Sequence, residues 1–277
     1  MMEFDMGAAW QRATTLISAN FQLLAVIAGV FLFLPSLVIY LVFPDFALLM
    51  DPTADPEILA AQIQEVLSPL IGWGLAIMAF QFVGYLAMVG LIGKRRPTVG
   101  QAIAQGVRST PTLFGTLILF ALGCFIITFV LILFISLLAL IVGPGALTFL
   151  TMVLILGVML ILMTRLCLTM PVVMLEDQLN PFTALLRSWQ LTSANKWQIF
   201  SFWMLLGVVY LVITFLALGV FGLVGAAVES TVLAALILGI VNGVIGALVA
   251  VIISGVVVAM YQQLAGDSAG SVSATVE

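Results

Sequence analysis

Long apolar runs alternate with short polar segments along this chain of 277 residues. A helix needs about 20 predominantly apolar residues to cross the hydrocarbon core of a bilayer. On that criterion the chain contains six membrane-spanning helices. Their predicted ranges are 21–43, 69–93, 112–142, 146–169, 198–225 and 232–262. The pattern therefore predicts an all-α, polytopic membrane protein, a six-helix transmembrane bundle.

One tripeptide separates the third span from the fourth. The apolar run 112–169 contains a single charge, Arg165, close to its end, and it is too long for one crossing. Gly143-Pro144-Gly145 interrupts this run. Proline ends a helix, and glycine permits a tight reversal. We therefore predict a hairpin of two spans.

Polar segments beside the spans predict interfacial helices. Asn180-Pro181 is typical of a helix start, because Asn caps free N–H groups and Pro suits the first helical position. Apolar residues then recur on one face, as in an amphipathic helix on a membrane surface. They are Phe182, Leu185, Leu186 and Trp189.

Residues 7–19 form a similar, weakly amphipathic segment before span one. Residues 12–20 share five of nine positions with residues 187–195. With 98–111 as a third segment, the chain divides into three units of surface helix and hairpin, which would be parallel repeats. The alternative is that any inward-facing helix before a span looks like this.

The predicted domains are an interfacial helix at 1–20, the membrane domain at 21–262 and a tail at 263–277. The tail is rich in Gly and Ser and has no apolar face, so we expect it to be a disordered cytoplasmic segment. The outer loop 44–68 is interpreted either as a short lid on the outer leaflet or as a binding loop for a cation or an envelope partner. Gly239, Gly243 and Ala247 have the spacing that lets helices pack closely. They would pack within the chain, or else form a homodimer seam or a lipid-facing groove.

Composition and charge fix the class and the orientation. The chain is 64% hydrophobic and 7% charged, whereas about a quarter of the residues in soluble domains are charged. The first apolar run is too long for a signal peptide, so span one should remain as an anchor. Lys and Arg collect in cytoplasmic segments. Six spans place every basic residue on one side, and the loops on the other side carry only carboxylates: Asp45, Asp51, Asp55, Glu57, Glu65 and Glu229. This predicts a bacterial inner (plasma) membrane protein with both termini in the cytoplasm.

Enzymatic chemistry has little support in the residues. The chain contains no His, and Cys124 and Cys167 lack metal-ligand spacing, so we interpret them as packing residues without a disulfide. The adjacent carboxylates Glu176 and Asp177 need not share a site. We predict no catalytic, cofactor or metal site.

Uncharged polar groups lie within two spans. Gln81 is near the middle of span two, and Asn242 is in span six. Intramembrane polar groups can mark a transport path. The alternative is that each forms an interhelical hydrogen bond.

The stretch 165–192 resembles a known family. The matching positions are Arg165, Pro171-Val172, Glu176, Ala184-Leu185, Arg187-Ser188-Trp189 and Leu191-Thr192. They resemble the membrane domain of some bacterial glycerophosphodiester phosphodiesterases and the related YciC family of six-helix inner-membrane proteins. No part of the chain resembles the catalytic barrel of these enzymes.

Arg165 has two interpretations. Its guanidinium could snorkel to the interface, or it could pair with Glu176 at a low-dielectric boundary. The family resemblance implies the pair, because both residues belong to the shared pattern.

We therefore expect a non-enzymatic inner-membrane protein that supports envelope or lipid homeostasis through a basic cytoplasmic collar. The alternative is a transporter or channel component that passes a small or lipid-like substrate between the hairpins; a lipid enzyme is a third, weaker hypothesis. Anionic phospholipid is the expected partner, with a second copy of the chain or another membrane protein as alternatives, and no nucleic acid. The candidate headgroup contacts are Lys94, Arg95, Arg96, Arg108, Arg187 and Lys196.

Overall fold

The computed structural model describes residues 4–42, 56–93, 97–142, 144–226, 228 and 230–273. Nine α-helices lie in these ranges, and a π-helical turn, Gly29–Phe33, joins the first to the second. The helices are α1 (Met6–Ala28), α2 (Leu34–Val42), α3 (Pro56–Ile92), α4 (Val99–Val142), α5 (Pro144–Leu166), α6 (Thr169–Leu175), α7 (Pro181–Thr192), α8 (Lys196–Ala226) and α9 (Thr231–Ser273).

Six helical segments are long and apolar enough to cross a membrane. They are Met6–Ile39, Gly72–Ile92, Val99–Leu137, Phe149–Leu175, Lys196–Gly225 and Val232–Gly266. The predicted all-α, six-helix membrane protein is confirmed. The break between α4 and α5 falls between Val142 and Pro144, at the predicted reversal.

The three predicted surface segments differ in how they join the spans. The segment 7–19 forms the first turns of α1, and 98–111 runs into span three within α4. Pro111 does not end α4, although a proline inside a helix removes one backbone hydrogen bond. By contrast, α7 is a separate helix, because Ser193–Asn195 interrupts the chain before α8. The threefold repeat itself stays a prediction.

The short helix α6 occupies the centre of the core. Leu168, Val172, Val173 and Met174 are buried, and α6 packs against α3, α4, α7 and α9. Nearby, α3 and α4 approach closely at Gly106, where an added Cβ would lie 2.9 Å from the carbonyl oxygen of Val83.

Glycines in α9 also allow neighbouring segments to approach closely. An added Cβ would lie 2.8 Å from the Phe33 ring at Gly243 and 2.6 Å from Ile17 at Gly255. The predicted packing within the chain is thus confirmed at Gly243. Other glycines of α8 and α9 have open space beside them: Gly207, Gly219, Gly222 and Gly246.

The predicted outer loop 44–68 and its carboxylates fall outside the described side chains. At the other end of the chain, α9 continues beyond the predicted limit of span six to Ser273, and Leu264 and Ala265 pack against the core. Whether the last residues are disordered stays a prediction.

Candidate functional site

The basic side chains that the structure describes gather at one end of the bundle, called the basic end below. They are Arg12, Arg108, Arg165, Arg187 and Lys196. Hydrogen bonds connect their helices. The Nε of Arg12 donates to Gln262 Oε1 at 3.2 Å, and Gln105 Nε2 donates to the carbonyl of Met174 at 3.0 Å. The end that the charge pattern predicted is therefore assembled from α1, α4, α5, α7, α8 and α9.

Helix α7 is held against the end of α5. Its start is the predicted one: Asn180 Oδ1 accepts the N–H groups of Phe182 and Thr183, and Pro181 is the first helical residue. Further along, the hydroxyls of Ser188 and Thr192 donate to the carbonyl oxygen of Arg165 at 2.9 and 3.1 Å. Both side chains are completely buried. They satisfy a carbonyl that the end of a helix leaves without an intrahelical partner.

The predicted pair of Arg165 and Glu176 is not the one that forms. The Glu176 carboxylate accepts from Arg187 Nε at 3.2 Å and from the Tyr261 hydroxyl at 2.9 Å. Helix α6 lies between the two predicted partners, and its seven residues span about 10 Å. The turn at Asp177, whose φ is 52°, then brings α7 back so that Arg187 meets Glu176.

Arg165 makes a different contact. Its Cζ lies 4.8 Å from the centroid of the Trp189 ring, within the range of a cation–π interaction. Its Nη1 is buried and has no hydrogen-bond partner among the described residues. The guanidinium is therefore oriented by an aromatic face and keeps a donor free.

A cleft opens beside this guanidinium, between the end of α5 and the start of α8. Its volume is about 140 Å³, compared with roughly 30 Å³ for one water molecule in the liquid. The cleft combines two cations with apolar and aromatic walls. Its lining residues are Ile161, Thr164, Arg165, Lys196, Trp197 and Phe200. Lys196 is exposed and contacts no carboxylate of the described residues.

The other predicted headgroup contacts that the structure describes lie outside this cleft. Arg108 is exposed on α4, and Arg187 is bound to Glu176. Lys94, Arg95 and Arg96 lie outside the described residues. Among the described members of the predicted set, Lys196 is the one that lines the cleft.

The intramembrane polar residues and the cysteines form no cluster that the structure describes. Asn242 Nδ2 donates to the Leu238 carbonyl of its own helix at 3.0 Å, and Gln81 is half-buried. Cys124 and Cys167 are both free. Among the described residues, no group of three His, Cys, Asp or Glu side chains could hold a metal ion.

Sequence reasoning missed several residues of the site. Ser188 and Thr192 are four positions apart, so they share one helix face, and small hydroxyl residues there could have indicated the buried side of α7. Trp197, which lines the cleft, was not among the predicted site residues. Tyr261 lies 85 positions from Glu176, and no local pattern could have joined them.

Comparison with known proteins gives one match, to the C-terminal part of the chain that contains the cleft. No curated protein and no solved structure matches the chain. Residues 145–273, which include α6, α7, α8 and the Arg165 end of α5, match the family model described as the membrane domain of glycerophosphoryl diester phosphodiesterase, as the resemblance predicted.

Proposed function

We propose that the protein is a non-enzymatic component of the bacterial inner membrane that binds anionic phospholipid at its basic end. This binding would support envelope or lipid homeostasis. The observation that supports the proposal is the gathering of cations on one end of a bundle built of membrane-spanning helices. Each cation close to an anionic membrane surface contributes about 1 kcal/mol to its attraction.

Aromatic side chains at the basic end support its placement at the level of the lipid headgroups. Trp10, Trp189 and Trp197 are 41%, 41% and 66% exposed. Tryptophan rings collect at the level of the lipid headgroups. On α7, Phe182 and Leu186 are exposed beside Trp189, so this face of the helix would lie in the interface while its opposite face packs on the bundle.

Lipid binding is tested with the full chain in vesicles of phosphatidylcholine containing a minor fraction of phosphatidylglycerol. After extraction, mass spectrometry of the retained lipid should show phosphatidylglycerol enriched over its fraction in the vesicle. Replacing Arg12, Arg108 and Lys196 together by Gln should reduce that enrichment. Retention in proportion to the vesicle composition would contradict the proposal and leave the cations as a topological signal.

Orientation is a second part of the proposal, since cytoplasmic placement of the basic end follows from the positive-inside rule. Ser193 precedes α8 and Ser230 precedes α9, and both are exposed at opposite ends of α8. In intact cells, a membrane-impermeant thiol reagent should label Ser230→Cys and leave Ser193→Cys unlabelled, both in a background that lacks Cys124 and Cys167. Labelling of Ser193→Cys alone would reverse the orientation.

A further inference from the structure

We propose that the cleft between α5 and α8 binds the phosphate of a single anionic phospholipid, with Arg165 and Lys196 as its two cationic contacts. This inference rests on the proposed function and narrows it from a basic surface to one site. It also gives Arg165 a role other than the ion pair that its sequence context suggested.

The Arg165 guanidinium has an unused hydrogen-bond donor. One of its faces is covered by the Trp189 ring, and Nη1 is buried with no partner among the described residues. A buried donor that lacks an acceptor is unfavourable. Because Arg165 also lines the cleft, a rotation of its guanidinium would bring Nη1 to a phosphate oxygen there, and the planar guanidinium suits phosphate geometry because it can donate two parallel hydrogen bonds.

The carboxylates between α6 and α7 already accept hydrogen bonds from other side chains. Glu176 accepts from Arg187 and Tyr261, and Asp177 accepts from Gln105. Among the described residues, neither Arg165 nor Lys196 lies within ion-pair distance of an acidic side chain. Two unneutralised cations that line one cleft attract an anion from outside the chain.

The start of α8 adds to this attraction. Because α8 begins at Lys196, the positive end of its dipole lies at the cleft. Asn195 precedes it, but its Oδ1 accepts the N–H of Phe4 at 3.1 Å. The side chain best placed to cap α8 therefore holds the N-terminal segment, and an anion in the cleft would supply the missing negative charge.

The surroundings favour a lipid over a soluble phosphate compound. The cleft has apolar and aromatic walls, and it opens where two membrane-spanning helices begin to expose apolar side chains. Ile161 on α5 and Leu205 on α8 are 50% and 60% exposed. A phospholipid whose phosphate lies at Arg165 would place its acyl chains along these side chains. The cleft volume of about 140 Å³ accommodates the phosphate group and leaves the chains outside.

The experiment titrates the delipidated full chain with phosphatidylglycerol in detergent and follows bound lipid by native mass spectrometry. Lys196→Gln should weaken binding about fivefold, corresponding to about 1 kcal/mol. Arg165→Lys keeps the charge and the contact with Trp189 but loses the planar fork, so it should also weaken binding several-fold. Gln190→Ala is the control. It shortens an exposed, uncharged side chain of α7 at the same end, outside the cleft, and should change the affinity less than twofold.

Lys196 is exposed, so its replacement tests the site without disturbing the core. Wild-type affinity in both Lys196→Gln and Arg165→Lys would overturn the cleft as the site. In that case, reduced enrichment of phosphatidylglycerol in the variant with Arg12, Arg108 and Lys196 all replaced by Gln would leave the proposed function standing without the cleft. If the wild-type chain shows no preference for phosphatidylglycerol over phosphatidylcholine, the proposed function itself fails.

A competition experiment distinguishes a phospholipid from a soluble phosphate compound as the ligand of the cleft. Excess inorganic phosphate, compared with chloride at equal ionic strength, should displace no phosphatidylglycerol. Displacement by phosphate alone would overturn the lipid assignment and make the cleft a site for a soluble phosphate compound.

Discussion

The core around α6 and the outward-facing surfaces of α4, α5 and α8 use the same residue types in different ways. In the core, Met174 and Gly106 are buried in contacts between helices. On the outward-facing surfaces, Met163 of α5 is 64% exposed and Gly123 of α4 has open space beside it. Only 6% of the most apolar stretch of the α5 span and none of that of α8 is buried, compared with 44% in α3. Hydropathy is high in all of these helices, so it does not reveal which of them carry the packing.

The physical reason is that lipid tails are as apolar as the side chains. In water an exposed Leu or Met is driven into the core, but in a bilayer the same side chain can remain at the surface without that penalty. Stability then depends on close packing and on satisfied polar groups, and most of the buried core side chains in the described chain come from α1, α3, α6 and α9. The comparison can be tested with pairs of identical substitutions, one in each region.

The largest difference is expected for methionine. Met174→Ala removes a side chain that is 2% exposed from the centre of the core, and such truncations cost about 2–5 kcal/mol. Met163→Ala makes the same chemical change on a surface that faces lipid and should cost much less. The measurement is the apparent free energy of unfolding in detergent micelles. Similar losses for the two variants would show that the outward-facing surface of α5 is as well packed as the core around α6.

A smaller difference is expected for glycine in α4. Gly106→Ala places a methyl group 2.9 Å from the backbone oxygen of Val83, and a backbone cannot move aside as a flexible side chain can. Overpacking of this kind costs about 1–3 kcal/mol.

The control lies in the same helix. Gly123→Ala meets no atom within 4 Å and should leave the stability unchanged or raise it, because Ala is the better helix former. The apparent free energy of unfolding in detergent micelles is measured for both glycine variants, as for the methionine pair. A Gly106→Ala variant as stable as the wild type would mean that α3 and α4 can separate without loss.

The fold class could be predicted from the sequence because the signal is local: apolar length defines each span, and Pro144 with its glycines defines the reversal. The start of α7 was predictable for the same reason, since Asn180 and Pro181 act on the N–H groups next to them. The pairing of Arg165 was not. Its contacts with Trp189, Ser188 and Thr192 depend on how α7 returns over the end of α5, which is set by tertiary packing around α6.

Continuity of helices was also hard to predict. The sequence predicted a surface helix at 98–111, before span three, as the third unit of the repeat. The structure keeps one helix through Pro111, since packing of α4 against α3 and α6 outweighs the lost hydrogen bond. Local signals therefore located the elements, and the contacts between distant elements decided which residues form the site.

The smallest difference concerns a hydroxyl group. Tyr261 donates to Glu176 at 2.9 Å, beside the ion pair with Arg187, and so joins α9 to the segment between α6 and α7. Tyr261→Phe removes only this donor. Because a typical intramolecular hydrogen bond contributes about 0.5–1.5 kcal/mol net, we expect a loss of that size in the free energy of unfolding.

Tyr210→Phe is the matched change in α8, where the ring is 43% exposed and its hydroxyl makes no hydrogen bond to a described residue; it should be close to neutral. A double-mutant cycle sharpens the test. If the Tyr261 hydroxyl acts through Glu176, then Tyr261→Phe combined with Glu176→Gln should cost less than the two single losses added together, because residues in one network do not contribute independently. Additive losses would show that Tyr261 stabilises α9 by ring packing alone, and the basic end would then be held by its apolar core without this polar link.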